Sequence, residues 1–328
     1  MQIKTSAIIL AGGEGKRMNS KRPKAMAEVL FKPMIQWVID AAKKAGIEDI
    51  CIVTGSKHEV IEDYLQTLPF AVEKVFQSER LGTGHAVMMA KDFLAKHSGS
   101  DVLVLNGDAP FINADTIREA FATHNSSAEK GCTVISAEVD NPTGYGRIVH
   151  ETADHDMLKA IVEEKEATDE IRKIKEVNSG AYWFEVNALL DALQKVQKSE
   201  KTGEYYLTDT VAIIKHTGKN VLAYKAKNAD SVLGANDCVQ LAQLNEIARK
   251  RILEKHMKNG VSIPCTDGVI IGTDVTIQPD TVILPSTVIR GKTAIGSFCE
   301  IGPAVLIENG TVSDGQHIHP LSTKNQIL

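Results

Sequence analysis

The sequence predicts an α/β domain with a mostly parallel sheet, followed by a short solenoid. Two observations support this fold class. Apolar, strand-like runs alternate with helical patterns over the first two thirds of the 328 residues, which is typical of parallel sheets covered by helices. Towards the C-terminus isoleucine recurs at every sixth position, a spacing that neither the helix nor the strand period produces. We therefore expect two regions of different construction.

Six apolar runs are the expected strands of the sheet: Ala7–Leu10, Ile50–Thr54, Val102–Leu105, Cys132–Val139, Ala181–Phe184 and Val221–Tyr224. Between the first two runs, Pro33 marks the start of a helix and Gly46 marks its end. The order of strand, loop, helix and strand makes a βαβ unit. Since ligands bind beyond the carboxyl ends of strands in such sheets, the loop after the first strand is expected at a binding site.

This loop reads LAGGEGKRMNSKRPK over residues 10–24 and matches neither the GxGxxG dinucleotide fingerprint nor the P-loop. Glycines let backbone N–H groups approach an anion, and neighbouring cations neutralise it. The cations here are Arg17, Lys21, Arg22 and Lys24. Because the net charge of the chain is −5, this local positive charge indicates a small anionic ligand rather than nucleic acid or an acidic membrane. Taken alone, the loop equally fits a basic surface turn.

Three further loops combine glycine with polar residues, over residues 77–85, 106–110 and 142–147. In the second of them, Asp108 follows a buried-strand pattern and stands beside a glycine. A carboxylate at such a position is well placed to bind Mg²⁺ together with phosphate oxygens, although a turn-capping aspartate explains the same residue. The stretch 163–176 alternates charges and is predicted to be solvated, with Glu163 at its start set apart as a candidate.

Composition places the chain among ordinary globular proteins, since 43% of the residues are hydrophobic and 24% are charged. The N-terminal apolar run is too short for a signal peptide or a membrane span, so a cytoplasmic protein is expected. Five scattered cysteines without a CxxC pair indicate neither a disulfide framework nor a zinc site. We interpret His85, His317 and His319 as structural or solvent-exposed.

The six-residue repeat has isoleucine at seven positions in register: Ile271, Ile277, Ile283, Ile289, Ile295, Ile301 and Ile307. Four places after each of the first six stands a small or short residue: Val275, Thr281, Thr287, Thr293, Cys299 and Val305. The pattern resembles the hexapeptide repeat of left-handed parallel β-helices, in which three repeats form one triangular coil. Two to three coils fit. The ends and faces of so short a helix need protection, which favours a homo-oligomer, with a trimer as the favoured form.

The loops and the repeats, in this order, resemble the bacterial N-acetylglucosamine-1-phosphate uridylyltransferases. The motifs that carry the resemblance are LAGGEGKRM…RPK, QSERLGTGHA, NGDAPF, NPTGYGRI, IVEEKEAT, VNSG, GEYYLTD and GAND. That enzyme is usually the N-terminal half of a bifunctional protein whose β-helix carries a glucosamine-1-phosphate acetyltransferase. The resemblance implies a Rossmann-like nucleotidyltransferase domain over residues 1–235, a linking helix over 236–262 and a short left-handed β-helix over 263–328.

The resemblance also implies roles for individual residues. The nucleotide would be lined by Leu10, Ala11, Gly12 and Gly13, and its uracil would be read by Gln77, Gly82 and Thr83. The triphosphate would be held by the catalytic cations Arg17 and Lys24, and Mg²⁺ by Asp108 and Asn236, of which Asn236 is also a substrate contact. The sugar would be contacted by Gly146, Glu163 and Asn178, with residues 206–209 shaping the pocket near it, and Asn106 is a further expected substrate contact.

The implied reaction is the Mg²⁺-dependent condensation of UTP with N-acetylglucosamine 1-phosphate to UDP-N-acetylglucosamine, a cell-wall precursor, and pyrophosphate. The attacking phosphate is already ionised near neutral pH, so no general base is required. The absence of a Ser/His/Asp or Cys/His constellation is therefore expected. The later coils that carry the acetyltransferase site in the bifunctional enzymes are not part of the 328 residues, so no acetyltransferase activity is expected.

Four positions depart from the family pattern and leave other functions open. Asn106 occupies a position that is tyrosine in some members, and Phe31 replaces the glycine before Lys32, so the preferred sugar is not fixed. Gly12 stands where the family usually has alanine, and Lys16 stands where it usually has threonine, so the preferred base is not fixed. The alternatives are a nucleotidyltransferase for another hexose 1-phosphate or base, a non-catalytic regulatory protein that binds sugar nucleotides, and a hexapeptide acyltransferase. The short β-helix disfavours the last.

Overall fold

The computed structural model describes residues 4–151 and 157–320. The chain divides into two compact units, the first comprising Met1–Ala27 and Met34–Cys238 and the second comprising Glu28–Pro33 and Val239–Leu328. Residues 28–33 therefore group with the C-terminal part of the chain although they lie early in the sequence. The apolar pattern did not predict this grouping.

Within the described residues of the first unit, nine strands form one sheet. The strands of the chain up to residue 225 are β1 Thr5–Ala11, β2 Glu28–Val29, β3 Lys32–Pro33, β4 Asp49–Thr54, β5 Glu73–Phe76, β6 Asp101–Asn106, β7 Lys130–Glu138, β8 Arg147–His150, β9 Leu158–Val162, β10 Glu176–Glu185 and β11 Asn220–Lys225. Seven of them follow the order β11-β7-β10-β6-β1-β4-β5, and β8 pairs with both β10 and β9. The strands β2 and β3 form the separate hairpin of residues 28–33.

The predicted strands are confirmed, with β7 ending one residue before the predicted Val139. Strand β1 pairs in parallel with β4 and β6, and β11 with β7, so the sheet is mostly parallel as predicted. The exceptions are β10, which runs antiparallel to β6, β7 and β8, and β9, which runs antiparallel to β8. The register of β10 sets Phe184 opposite Val102, and the first residues of β10 therefore lie at the edge where β1 and β6 end.

Helices cover both faces of this sheet. The helices of the chain are α1 Met34–Lys44, α2 His58–Gln66, α3 Thr83–Met89, α4 Lys91–Lys96, α5 Ala114–His124, α6 Asp169–Arg172, α7 Val186–Leu193, α8 Thr208–His216 and α9 Cys238–Lys258. Successive residues of β1 enter opposite clusters: Ile9 packs with residues of α1, α2 and α5, whereas Ile8 packs with residues of α3, α4, α7 and α8. The predicted helix is confirmed as α1, which starts after Pro33 and is followed by Gly46 at φ +96°.

The second unit contains α9 and a solenoid of two- and three-residue strands. These are β12 Ile270–Ile271, β13 Thr276–Ile277, β14 Val282–Ile283, β15 Val288–Arg290, β16 Ala294–Ile295, β17 Glu300–Ile301, β18 Leu306–Glu308, β19 Thr311–Val312 and β20 His317–Ile318. They form three parallel sheets, β12-β15-β18, β13-β16-β19 and β14-β17-β20, so three coils are stacked. The repeat isoleucines from Ile271 to Ile301 are at most 7% exposed and fill the centre. The predicted parallel β-helix is confirmed with the larger predicted number of coils.

The hairpin of β2 and β3 is held within the second unit by polar contacts. The Leu30 N–H donates to Asn245 Oδ1 on α9 at 2.9 Å. Lys32 Nζ lies 3.0 Å from Asp274 Oδ1, and the guanidinium of Arg290 lies 5.4 Å from the centre of the Phe31 ring. Among the described residues, no helix has both the length and the apolar character needed to cross a membrane.

Candidate active site

The carboxyl ends of β1, β4 and β6 meet at one edge of the sheet, as the βαβ pattern predicted. The parallel register pairs Leu10 with Asn106 and Ala11 with Thr54 at the last positions. One residue beyond β6, the Gly107 N–H donates to the carbonyl oxygen of Leu10 at 2.9 Å. The loops after these three strands therefore emerge side by side.

Close approach of two loop backbones explains Gly55, the glycine after β4. A Cβ on Gly12 would lie 3.1 Å from Gln77 Oε1, and a Cβ on Gly55 would lie 2.6 Å from the Gly12 carbonyl oxygen. The loops after β1 and β4 thus touch where side chains would separate them. Further along, Lys24 N donates to the Gly13 carbonyl oxygen at 3.3 Å, which folds the basic end of the loop back onto its glycines.

Lys24, Asp108 and Asn236 form the polar centre of this edge. Lys24 Nζ lies 2.5 Å from Asp108 Oδ2 and donates to Asn236 Oδ1 at 2.7 Å. The Lys24 and Asp108 side chains are 14% and 30% exposed, so the ion pair is only partly screened by water. Asp108 Oδ2 and Asn236 Oδ1 thus share one cation, the Lys24 ammonium group. Oxygens of this type are ligands that Mg²⁺ takes together with water and phosphate oxygens. The residues present therefore fit the ion.

Arg17 does not join this cluster. It lies on the one-turn 3₁₀ helix Lys16–Met18 and is exposed. Within the part of the chain that the structure describes, Arg17 makes no hydrogen bond or ion pair, whereas Lys24 makes both. Of the two expected catalytic cations, the structure thus brings one to the Asp108 carboxylate and leaves the other facing solvent.

A cleft of about 420 Å³ opens beside this cluster. Eight of the expected site residues line it: Leu10, Gly12, Gly13, Gln77, Gly82, Thr83, Asn106 and Asp108. Ala11 is 3% exposed and packs in the core below the sheet, so it does not line the cleft. The remaining lining residues are Arg80, Ala86, Glu204 and Tyr206.

Hydrogen bonds fix the wall of the cleft formed by residues 77–85. Gln77 is 4% exposed, and its Nε2 donates to the Gly82 carbonyl oxygen at 3.2 Å and lies 3.0 Å from His85 Nδ1. His85 therefore has a structural partner. A Cβ on Gly82, at φ +101°, would lie 2.5 Å from the Tyr205 carbonyl oxygen, so this position requires glycine.

The same wall is tied to residues 205–207. The Leu207 N–H donates to Thr83 Oγ1 at 3.1 Å, and the Gly84 N–H donates to the Tyr205 carbonyl oxygen at 2.8 Å. Thr83 thus uses its hydroxyl as a structural acceptor while remaining at the cleft surface. Tyr206 follows directly and lines both this cleft and a second pocket.

The second pocket is acidic and has a volume of about 270 Å³. Its lining includes Glu163, Glu166 and Asp209, with Tyr206 and Thr208 beside them. Burial raises the pKa of Glu163; a hydrogen bond from Thr208 Oγ1 at 3.4 Å opposes the rise, and the charges of Glu166 and Asp209 add to it. Burial, then Glu166, also raises the pKa of Asp209. Glu163 therefore differs from the solvated charges that follow it.

Gly146 and Asn178 join this pocket to the sheet edge. A Cβ on Gly146 would lie 3.5 Å from both Glu163 carboxylate oxygens. The Asn178 N–H donates to the Gly146 carbonyl oxygen at 2.8 Å, and Asn178 Nδ2 donates to the Tyr182 hydroxyl at 2.7 Å. A Cβ on Gly180 would lie 2.2 Å from Asn106 Nδ2, so the start of β10 lies against the end of β6. Gly146, Glu163 and Asn178, the residues expected to contact the sugar, are thus neighbours, and Asn106 lies against Gly180 of β10.

Sequence reasoning missed an ion pair in the cleft. Arg80 Nη2 lies 2.6 Å from Glu14 Oε1, which also accepts a hydrogen bond from Ser56 Oγ at 3.0 Å. Both charged residues belong to loops that the sequence singled out, residues 10–24 and 77–85. The pairing itself left no signal, because the two positions are distant in sequence and neither belongs to a periodic pattern. Glu204, a further lining residue, was quoted in its motif without a role.

Comparisons with known proteins agree with this geometry. The nucleotidyl transferase family matches residues 6–249. The bifunctional protein GlmU of Acetivibrio thermocellus is 44% identical over 308 residues, covering 94% of this chain and 65% of that protein. GlmU of Caldanaerobacter subterraneus subsp. tengcongensis is 42% identical over 312 residues, covering 95% and 66%. The chain therefore spans slightly less than two thirds of the length of these relatives.

A solved UDP-glucose pyrophosphorylase, complexed with UDP-glucose, superposes with a TM-score of 0.62 at 21% identity. The match covers 76% of this chain and all of that one. At this identity the similarity concerns the fold, which is the mixed, mostly parallel α/β architecture found here.

Proposed function

Because the chain belongs to the nucleotidyl transferase family, we propose that it transfers the uridylyl group of UTP to N-acetylglucosamine 1-phosphate, with Mg²⁺ as cofactor. The observation that carries the proposal is the contact of Lys24 with both Asp108 and Asn236 at the mouth of a glycine-walled cleft. The name of the relatives, bifunctional protein GlmU, together with the family resemblance of the loops, points to this pair of substrates.

The chemistry suits such a site. A phosphate oxygen of the sugar phosphate attacks the α-phosphorus of UTP, a new phosphorus–oxygen bond forms, and the bond to the bridging oxygen breaks so that pyrophosphate leaves. Both reactants are polyanions, so the protein has to position them and offset their charge. Lys24 is placed to do so at the cleft, and Arg17 is free of internal partners within the described residues and can turn to the triphosphate.

Asp108 and Asn236 would hold the metal ion. Bound there, Mg²⁺ would offset the negative charge that builds on the phosphate oxygens. Lys24 Nζ contacts both ligands in the structure described, so its ammonium group has to shift towards the phosphates when the ion binds. Gln77 and the Gly82 backbone would meet the base, since both line the cleft away from the charged centre.

The acidic pocket is proposed to take the sugar. Carboxylate and carboxamide oxygens accept hydrogen bonds from hydroxyl and acetamido groups, and Glu163, Asn178 and Asp209 offer such oxygens. The missing side chain at Gly146 leaves space in front of the Glu163 carboxylate. Tyr206 lines both cavities, which supports binding of the sugar beside the nucleotide.

A second candidate is nucleotidyl transfer with another base or hexose. It is favoured by Arg80, which lines the cleft near Gln77 and adds a charged donor to the wall where a base would lie. Arg80 is held by Glu14, so its guanidinium has a defined position.

Pyrophosphate release separates these functions. The full chain is incubated with each of four nucleoside triphosphates and each of several sugar 1-phosphates, with and without Mg²⁺. We expect the highest rate with UTP, N-acetylglucosamine 1-phosphate and Mg²⁺. A different best pair would establish the second candidate, and silence in every combination would leave a non-catalytic binding protein.

Two parallel measurements address the finer expectations. With glucosamine 1-phosphate and acetyl coenzyme A we expect no release of free thiol, and release would contradict an activity limited to nucleotidyl transfer. A homotrimer is proposed for the quaternary structure, because stacked parallel coils expose their faces. Light scattering should give about three times the chain mass of 35.6 kDa, and a monomer at working concentration would contradict it.

A further inference from the structure

The second unit carries a group of potential metal ligands that the proposed reaction does not use. Glu300, His317 and His319 each present a ligand atom within 4.8 Å of the others. Within residues 4–151 and 157–320, no other three such side chains come this close. Glu300 and His317 belong to the face of the β-helix formed by β14, β17 and β20, and His319 directly follows β20.

The backbone fixes this arrangement. Strands β17 and β20 pair in parallel, with Glu300 directly beside His317. Backbone N–H groups of Glu300 and Gly302 donate to the Gln316 and Ile318 carbonyl oxygens at 3.0 and 2.9 Å. The rings of His317 and His319, the residue that follows β20, have their centroids 6.1 Å apart, while Ile318 between them packs against the apolar centre.

A hydrogen bond with a backbone carbonyl oxygen orients the imidazole of His319, as is common for histidines that bind metals. His319 Nδ1 lies 2.6 Å from the Gly302 carbonyl oxygen, and a carbonyl can only accept, so Nδ1 carries the proton. Neutral His319 then has its lone pair on Nε2, which lies 3.5 Å from Glu300 Oε1. Histidines that bind metals commonly donate their second N–H to a carbonyl or carboxylate in this way.

We propose that Glu300, His317 and His319 bind one divalent transition-metal ion such as Zn²⁺, which clips the third described coil to the second. Two imidazoles and one carboxylate are the ligands such ions prefer, and three protein ligands leave the remaining positions to water. In a tetrahedral zinc site the ligand atoms are about 3.4 Å apart. Glu300 Oε1 and His319 Nε2 are already 3.5 Å apart, so the adjustment needed falls to His317, whose side chain is exposed.

The site is distinct from the one at Asp108 in its donor chemistry. Mg²⁺ prefers oxygen ligands and keeps several waters, whereas imidazole nitrogen favours zinc, nickel and copper. Mg²⁺ should therefore bind at Asp108, and the transition-metal ion should bind at Glu300, His317 and His319. Since all three ligands belong to one chain, the stoichiometry should be one ion per chain in any oligomeric state.

Zinc titration of the full chain tests the proposal. The titration is performed with excess Mg²⁺ and a competing chromophoric chelator, and we expect one zinc ion per chain. His317→Ala and His319→Ala should each weaken zinc binding at least about tenfold. Glu300→Gln should weaken zinc binding to a smaller extent. The matched control is His216→Ala, because His216 is also exposed and its Nδ1 also contacts a carbonyl oxygen, that of Ala212, at 2.7 Å. A second control, Cys238→Ser, removes an exposed thiol.

Two outcomes would overturn the inference. Undiminished zinc affinity in the His317→Ala, His319→Ala double variant would show that zinc binds elsewhere. Backbone hydrogen exchange of residues 306–318 should slow on adding zinc but not on adding Mg²⁺, and equal exchange rates with and without zinc would refute the clip. Pyrophosphate release should be unchanged in the double variant, which keeps this test separate from that of the proposed reaction.

Discussion

The two units of the molecule bring residues together over very different distances in sequence. In the first unit Lys24 contacts Asn236, 212 positions away, at the edge where separate strands end. In the β-helix of the second unit ladder partners are one coil apart, as in Ile271 with Ile289 and Ile289 with Ile307. Chemistry in the first unit therefore depends on convergence of single positions, whereas stability in the second depends on many equivalent neighbours. Substitutions in the two units should accordingly separate loss of activity from loss of stability.

The largest effect is expected at Asp108. Asp108→Ala removes the carboxylate that contacts Lys24 and would hold Mg²⁺, so pyrophosphate release should fall at least about 100-fold. The side chain is 30% exposed, and the melting temperature should change little. The control is Asp274→Ala, which removes the partner of Lys32 in the second unit. An equal loss of activity in both variants would show that the comparison between the units is wrong.

At Ile289 we expect a loss of stability without a loss of activity. This side chain is fully buried in the middle coil, and Ile289→Ala should destabilise the second unit by about 2–5 kcal/mol through lost burial and the cavity left behind. Hydrogen exchange of the β-helix amides measures the loss. Ile307→Ala is the matched control, since Ile307 is only partly buried and should cost less. Pyrophosphate release at low temperature should survive both changes, and a larger loss of stability at Ile307 would contradict nearest-neighbour stacking.

A buried polar network should make the stability of the first unit depend on pH. Asp101 is 1% exposed; burial opposes its ionisation, but hydrogen bonds from His124 and Lys130 outweigh burial and lower its pKa below the usual 3.8. A lowered folded-state pKa stabilises the fold above the unfolded pKa, and this contribution is lost as the pH falls through the folded value. Asp101→Asn should therefore destabilise the protein by about 1–3 kcal/mol at pH 7 and by much less near pH 3.

Thermal unfolding at the two pH values measures the Asp101 effect. Asp49→Asn serves as the control, because Asp49 also starts a central strand and also faces a histidine, His97, but its side chain is 59% exposed. The control variant should show little pH dependence relative to the wild type. A difference between Asp101→Asn and the wild type that is the same at both pH values would contradict the role given to ionised Asp101.

The smallest effect is expected at Glu163. Burial raises the pKa of this carboxyl, so Glu163 should become protonated before ordinary glutamates as the pH is lowered from 7. An ionised carboxylate is the better acceptor for sugar hydroxyls, so KM for the sugar 1-phosphate should rise as the pH falls. Glu163→Gln should raise KM several-fold at pH 7 and weaken this pH dependence. Substrate phosphate also titrates in this range, so the profile of Glu164→Gln provides the comparison. Identical profiles for all three proteins would remove Glu163 from sugar binding.

The sequence predicted the elements that periodicity encodes. The buried strands, the helix bounded by Pro33 and Gly46, and the stacked coils were all visible as apolar runs or repeats. The reversed direction of β10 was not, because a strand has the same alternation in either direction. The grouping of residues 28–33 with the second unit was also missed. It depends on contacts such as that of Leu30 with Asn245, which no local sequence pattern indicates.

At the candidate site, the residue types were readable but their pairings were not. Glycines, the carboxylate of Asp108 and the basic residues stood out in loops after strands. The pairings depend on side-chain directions that tertiary packing sets. This holds for the contact of Lys24 with Asp108, for the absence of such a contact at Arg17 and for the ion pair of Arg80 with Glu14. His317 and His319 were set aside because their third partner, Glu300, becomes a neighbour only through coil stacking.

The loose attachment of β8 and β9 bears on how this fold can be re-engineered. Strand β8 joins β10 through one register pair, Val177 with Arg147, whereas β1 is paired with β6 at six successive positions. Gly146 and Glu163 flank these two short strands, so the proposed function makes this segment the one to exchange between relatives. A chimera exchanging residues 142–166 would test whether the preferred sugar phosphate changes while the preferred nucleoside triphosphate stays the same.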